Sequence, residues 1–451
     1  MKVTPLERDL TYYIETFGCQ MNEHDSEVLA GMLESIGYLP ADTPGEADLI
    51  LLNTCAVRQK PEQKVYALLG KLRPLKERNP ALVIAVAGCM PQQEGTPRDL
   101  ARRFDFIDLI LGTHALPHLP RLLEEARERD KPLIDTGEYE LSRSGLPVRR
   151  ASHFKAWLNV IYGCNNYCSY CVVPYVRGRE RSRTKEDIMK EATGLARAGY
   201  REITLLGQNV NSYGQDLYGP RGYAFADLLL DLNQVEALSR IRFLTSHPKD
   251  LSTRLIQAVG EGERACEHFH LPVQSGSNRL LKEMNRRYSR ERYLELVAEI
   301  KETIPGVALT TDLIVGYPGE REEDFLQTLD LVERARFDSA FAFLYSPRVG
   351  TRAALKKDSL PQEEKKKRLQ EIFKLQNRIS LEINRALVGQ TLELLVEGTS
   401  RRDPRMQSGR SRSNKLVHFP ADQELAGRLV EVPVAEAYTW HLVGESPRGG
   451  S

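Results

Sequence analysis

The chain has 451 residues, 41% hydrophobic and 28% charged, with 63 Lys+Arg against 62 Asp+Glu and a formal net charge of +1. That length suggests two to four domains with a real core. No run of 18 apolar residues offers a helical membrane span, and the balanced charge excludes a globally basic nucleic-acid binder, so any such signal must be local. Met1 to Leu10 is polar and charged and lacks the apolar stretch of a signal peptide, so a cytoplasmic location is expected. Nothing demands more than a monomer.

The first segment, about 10–130, alternates apolar runs with amphipathic stretches. The runs are Tyr12–Phe17, Asp48–Asn53, Leu82–Ala87 and Ile107–Leu111, and Val28, Leu29, Met32, Leu33 and Ile36 recur at helical spacing after the first. This alternation predicts a parallel sheet with helices on both faces, in a small flavodoxin-like domain. Residues 131–150, with Pro132, Gly137, Gly145 and Pro147, read as a linker.

The second segment, about 151–386, holds six strand-like runs: Ala156–Tyr162, Glu202–Leu206, Arg240–Thr245, His268–Val273, Val307–Val315 and Ser339–Tyr345. Six βα units are too few for the eight-fold barrel, so an open partial (βα)6 barrel is expected. A last helix is expected from Glu363 to about Ala386, with Leu369, Ile372, Phe373, Leu375, Ile379 and Ile383 on its apolar stripe. The third segment, about 387–447, reads as short strands, Thr391–Glu397, Lys415–Phe419, Arg428–Val434 and Thr439–Val443, and suggests a small β-barrel. The overall class is α/β.

Seven cysteines are present. In a reducing compartment clustered thiols read first as metal ligands rather than disulfides. Cys164, Cys168 and Cys171 have the spacing C-x3-C-x2-C directly after the first strand of the second segment, where parallel αβ folds place their sites. Three thiolates on one loop can hold three irons of a cubane cluster and leave the fourth open. A structural zinc site would need a fourth ligand, and the nearby His153 lies at the wrong end of the strand. Cys19, Cys55 and Cys89 are dispersed, but each follows an apolar run by one or two residues, in Phe-Gly-Cys, Asn-Thr-Cys and Ala-Gly-Cys contexts. On a parallel sheet these loops share the carboxyl edge, so the thiols could converge; the alternative is three separate buried cysteines. Cys266 lacks this context and is expected to be a buried free thiol.

The triplet resembles that of the radical S-adenosylmethionine superfamily. The resemblance implies that the open iron binds S-adenosylmethionine, which is cleaved to a 5′-deoxyadenosyl radical. Runs at three further strand ends fit it: Leu205 to Val210, His270 to Ser277 and Leu313 to Glu320. Within these, Gly207, Asn209, Gln274, Ser275, Ile314 and Gly316 are the candidate cofactor contacts; ordinary βα turns are the alternative.

With the dispersed cysteines in front and a small barrel behind, the whole chain resembles the methylthiotransferases. That family implies two four-iron clusters: Cys19, Cys55 and Cys89 hold the second, which carries the sulfur to be transferred. One S-adenosylmethionine supplies the methyl group and another the radical; an electron donor and a sulfur source are implied partners. The run from Tyr162 to Gly178, with Gln208–Gly214, His270–Ser277 and Leu344–Arg348, resembles the tRNA-modifying group. Its implied substrate is tRNA carrying a dimethylallylated adenosine beside the anticodon, modified at carbon 2. The basic stretch 399–418 resembles that family's RNA-binding module (TRAM-like). Arg401, Arg402, Arg410, Arg412 and Lys415 are its candidate RNA contacts, while Phe419 is either a stacking residue or barrel core. Rival readings are a threonylcarbamoyl-adenosine substrate, a ribosomal protein substrate, and a non-catalytic iron–sulfur redox sensor that binds RNA.

Overall fold

A computed structural model describes residues 9–57, 59–139, 145–358, 360–401 and 403–447. The polar stretch Met1–Arg8 and the candidate Arg402 lie outside the described residues. The chain forms two compact units. The first is Met1–Ala151, Tyr162–Glu180 and Ser346–Ala354; the second is Ser152–Ile161, Arg181–Tyr345 and Leu355–Ser451.

In the first unit β1 (Leu10–Thr16), β2 (Tyr38–Pro40), β3 (Leu49–Thr54), β4 (Val83–Gly88), β5 (Leu109–Leu111) and β6 (Leu133–Asp135) form one sheet. Its order is β2-β1-β3-β4-β5-β6 and every ladder is parallel. This is the flavodoxin-like order with one strand added at the far edge. The central strands β3 and β4 are buried at every position because both faces are covered. Leu49, Leu51, Val83 and Ala85 pack on one face with the helices Gln20–Ser35 and Leu119–Arg127, while Ile50, Leu52, Ile84 and Val86 pack on the other with Gln59–Arg78. The added β6 arises inside the stretch read as a linker; three residues are too short to show a period. At the end of that stretch the chain is tied to helix Gln20–Ser35: the Arg149 amide donates to the Glu27 carbonyl and the Ala151 amide, one residue beyond the stretch's end, to the Glu27 side chain.

In the second unit the parallel strands are β7 (Lys155–Asn159), β10 (Glu202–Leu206), β11 (Arg240–Phe243), β12 (His268–His270), β13 (Ala308–Val315) and β14 (Ser339–Leu344); β8 (Ile161–Tyr162) and β9 (Arg181–Ser182) are two-residue pieces. They pair as β7-β10-β11 and β12-β13-β14. A bridge from Ile241 to Ala265 and the Ser246 amide on the His270 carbonyl join the two halves. Among the described residues no ladder joins β14 back to β7, so the fan of six strands stays open. Helix Gln362–Arg385 buries Ile372 and Ile379 in its core.

A closed five-stranded barrel follows: β15 (Thr391–Thr399), β16 (Met406–Ser411), β17 (Leu416–Pro420), β18 (Leu429–Ala437) and β19 (Leu442–Gly444), in the order β15-β16-β17-β19-β18. Strand β16 falls in the stretch read as a basic loop. Its inward residues are Gln407, Gly409 and Ser411, so it lacks the apolar alternation that announces a strand. Phe419 is fully buried and belongs to the barrel core.

Candidate functional site

Cys19, Cys55 and Cys89 follow β1, β3 and β4, three adjacent strands, at their carboxyl ends. Gly18 brings two of these loops together. It stands at φ +139°, and a Cβ there would meet the Cys55 Cβ at 2.8 Å, so a side chain would push the cysteines apart. Cys19 is exposed and caps helix Gln20–Ser35, its carbonyl accepting the amides of Asn22 and Glu23; Cys55 and Cys89 are buried. Asn22 organises the nest. Its Nδ2 donates to the carbonyls of Phe17 (3.0 Å) and Thr54 (2.9 Å). Its Oδ1 lies 3.8 Å from the Cys19 sulfur and 4.0 Å from the Cys89 sulfur.

The triplet also belongs to the first unit. Its loop closes on itself. The Cys164 amide donates to the Gly178 carbonyl, and the Asn165 and Glu180 side chains cross-bond to each other's amides. Gly163, at φ +74°, is required: a Cβ would meet the Arg179 carbonyl oxygen at 2.0 Å. Cys164 and Cys168 are buried and Cys171 is half-buried. Between the last cysteine and the loop's return, helix Val173–Arg177 runs against the first set. Val172 and Val176 pack with Cys89 and Ala56 in one small apolar cluster.

Arg177 enters the nest itself. Its guanidinium donates to Asp25 Oδ2 (2.6 Å), Asn22 Oδ1 (2.9 Å) and Cys89 Sγ (3.1 Å), all buried. Burial pushes the Cys89 thiol up to about 12, against the pull of the Arg177 charge, and pushes Cys164 up to about 11. Thiols so desolvated become thiolates on binding a cation. Among the described residues no three His, Cys, Asp or Glu side chains close round one ion. A cubane cluster spreads its thiolates over separate corners, and two sets of three cysteines, each on the loops of one pole, suit that better than a single zinc.

The candidates of the strand-end runs lie in the second unit, on loops leaving the carboxyl edge of β10, β12 and β13, except Ile314, which is the penultimate residue of β13 itself. Gly207 has no room for a Cβ, which would meet Ile161 Cγ2 at 2.4 Å. Asn209 donates to Asp250 and accepts the His247 amide; Ser275 accepts the Ser277 amide. Gln274 is buried at φ 73° with its backbone laddered to β13, Ile314 is half-buried, and the Gly316 amide donates to Glu320. Cys266 is buried, as expected.

Of the basic candidates, Arg401 is exposed and Arg410 half-buried, donating to the Asn414 carbonyl. Arg412 pairs with Glu267 at 2.6 Å, and Lys415 with Asp338 at 2.5 Å. Sequence reading missed Asn22, Asp25 and Arg177. A signal existed: Asn22 and Asp25 share the helical face of Leu29, polar residues on the stripe that should be apolar.

Three family models match the chain: Uncharacterized protein family UPF0004 over residues 11–112, the Radical SAM superfamily over 158–332 and the TRAM domain over 385–446. The fold resembles the radical S-adenosylmethionine methyltransferase TsrM from Kitasatospora setae, at TM-score 0.56 and 15% identity, covering 77% of this chain and 74% of that one. The chain is therefore built as a radical S-adenosylmethionine protein, a superfamily that uses S-adenosylmethionine and a four-iron cluster. Closer relatives narrow the class. The tRNA-2-methylthio-N(6)-dimethylallyladenosine synthase of Moorella thermoacetica is 54% identical over 97% of this chain and 99% of its own. The synthases of the same name from Carboxydothermus hydrogenoformans and Acetivibrio thermocellus are each 52% identical, over 96% and 97% of this chain and 98% and 91% of theirs. The chain belongs to the tRNA-2-methylthio-N(6)-dimethylallyladenosine synthase family.

Proposed function

We propose that this protein adds a methylthio group to carbon 2 of N(6)-dimethylallyladenosine beside the anticodon of tRNA. The observation that carries the reading is the shared unit of the two cysteine sets, with Val172, next to Cys171, packed on Cys89. A second thiol set beside the first gives a radical enzyme a place to hold the sulfur that it transfers.

Cys164, Cys168 and Cys171 would hold one four-iron cluster, and Cys19, Cys55 and Cys89 a second. When bound, the first with S-adenosylmethionine supplies a carbon radical able to attack an unactivated C–H bond, and the second supplies the sulfur. The chain's own contribution is to hold the two sets together and keep water away: Cys55, Cys89, Cys164 and Cys168 are each under 10% exposed. Gly207, Asn209, Gln274, Ser275, Ile314 and Gly316 are proposed to shape the S-adenosylmethionine pocket, the glycines by close backbone approach. The layout is a cluster-binding domain over 10–130, a linker over 131–150, a radical core over 151–386 and an RNA-binding barrel over 387–447. Arg401, Arg402 and Arg410 are the barrel's proposed phosphate contacts, Arg410 also lying 3.5 Å from Glu397; Arg412 and Lys415, paired with Glu267 and Asp338, would serve by fixing the barrel rather than by touching phosphate. A tRNA substrate implies a cytoplasmic location.

The test is mass spectrometry of tRNA nucleosides from a strain lacking the gene, complemented by variants. The methylthio-dimethylallyl nucleoside should vanish and return with the wild-type gene. Cys168→Ala should abolish both S-adenosylmethionine cleavage and the nucleoside. Cys55→Ala should spare cleavage and abolish the nucleoside. An unchanged nucleoside pool in the deletion strain would exclude this substrate, and loss of a methylthio-threonylcarbamoyl nucleoside instead would move the assignment there.

A further inference from the structure

Arg177 is charged, has a side chain only 5% exposed, and stands six residues beyond Cys171 in the chain. A guanidinium so buried is costly unless each edge is satisfied. Here one edge meets a carboxylate, Asp25, itself 1% exposed; a second meets the amide oxygen of Asn22; the third points at sulfur, 3.1 Å from Cys89. The Thr113 hydroxyl fixes the same helix by donating to the Val176 carbonyl at 2.5 Å. The segment that carries the triplet is thus locked to the first cysteine set by one fork of hydrogen bonds and one apolar cluster.

We propose that Arg177 is a positioning residue for the Cys19, Cys55 and Cys89 set: it orients the Cys89 sulfur, sets the reduction potential of a cluster held there, and ties that set to the triplet loop. The inference rests on the reading that this set holds a cluster. A cation and an N–H···S hydrogen bond favour the reduced, more negative form of an iron–sulfur centre, so removing them lowers its potential. Lysine keeps the charge but, with a single nitrogen, cannot reach carboxylate, amide and sulfur in one planar fork.

The experiment uses the full chain with Cys164→Ala, Cys168→Ala and Cys171→Ala, so that only the first set can bind iron. After anaerobic reconstitution it should hold about four irons. Adding Arg177→Gln should lower the reduction potential and shift the electron paramagnetic resonance of the reduced cluster, and Arg177→Lys should shift both less. Loss of iron from both Arg177 variants with an unchanged thermal unfolding transition also supports the positioning role. An unchanged potential and spectrum in both would overturn it, as would iron loss that merely accompanies unfolding, which marks an ordinary structural ion pair. A triple-alanine protein that binds no iron overturns the cluster reading itself, and the inference with it.

Discussion

Two polar residues on the inner face of one helix hold much of this site. Asn22 joins two strand-end carbonyls, two sulfurs and Arg177, and Asp25 sets its carboxylate against that guanidinium. Deleting Asp25 leaves a buried charge without its counter-ion, so Asp25→Ala should cost about 3–5 kcal/mol in a denaturant titration. Glu27, one position out of that pattern, works differently. Burial opposes its ionisation, but His24, the Ala151 amide and the Arg150 guanidinium outweigh it and hold the carboxyl below its ordinary 4.5. A folded-state pKa below the unfolded one gives stability that is present above pH 4.5 and drains away as the pH falls through the depressed value. Urea melts from neutral pH down through that window should therefore fall more steeply for wild type than for Glu27→Gln.

Among elements, β16 and the turn after it have changed role. Arg240, wholly buried, donates to the Arg410 carbonyl at 2.6 Å, and Arg242 donates to the carbonyls of Ser411 and Arg412. Arg240 opens β11, Glu267 precedes β12 and Asp338 precedes β14. The small barrel is thus docked on the amino-terminal edge of the open fan, opposite the edge that carries Gly207, Gln274 and Gly316. Half of the basic stretch serves that docking. Arg412→Ala should destabilise the protein by about 1.5–3 kcal/mol, through charged hydrogen bonds lost to Ala265 and Glu267, and leave the salt dependence of tRNA binding alone. Arg401→Ala should do the reverse: stability within about 0.5 kcal/mol, and a slope of log affinity against log salt shallower by about 0.7–0.9. Equal slopes for wild type and Arg401→Ala would remove that residue from the RNA surface.

At the scale of the molecule, the two units are interleaved along the chain. The triplet is numbered among the barrel residues but folds with the amino-terminal domain, together with Ser346–Ala354. Arg348 of that returning segment is buried against Glu62, at 2.7 Å, on the helix that follows Cys55, and the Ala353 amide donates to the Ser169 carbonyl within the triplet. The first unit thus gathers three separate pieces of sequence around six cysteines. Anaerobically reconstituted wild type should hold about eight irons per chain, and Cys55→Ala and Cys168→Ala about four each. A wild-type protein that stops at about four would reduce the first set to structural thiols.

The strands and their order of appearance were legible because the apolar runs were strong, Leu49–Leu52 in β3, Val83–Ala87 in β4 and Leu313–Val315 closing β13, as was the long amphipathic stripe of Gln362–Arg385. The triplet was legible because its cysteines are local, three residues on one loop. β16 was not, since its inward positions are glycine, serine and glutamine, and periodicity sees only apolar contrast. The meeting of Cys19, Cys55 and Cys89 needed β1, β3 and β4 to be neighbours, which strand order alone decides. Arg177 among the cysteines, and Arg412 against Glu267, are contacts between residues 88 and 145 positions apart. The amino-acid order carries the identity and spacing of the reactive groups; only tertiary packing selects which distant charge each is set against, because electrostatic partners are chosen by distance in space and burial, and neither has a period along the chain.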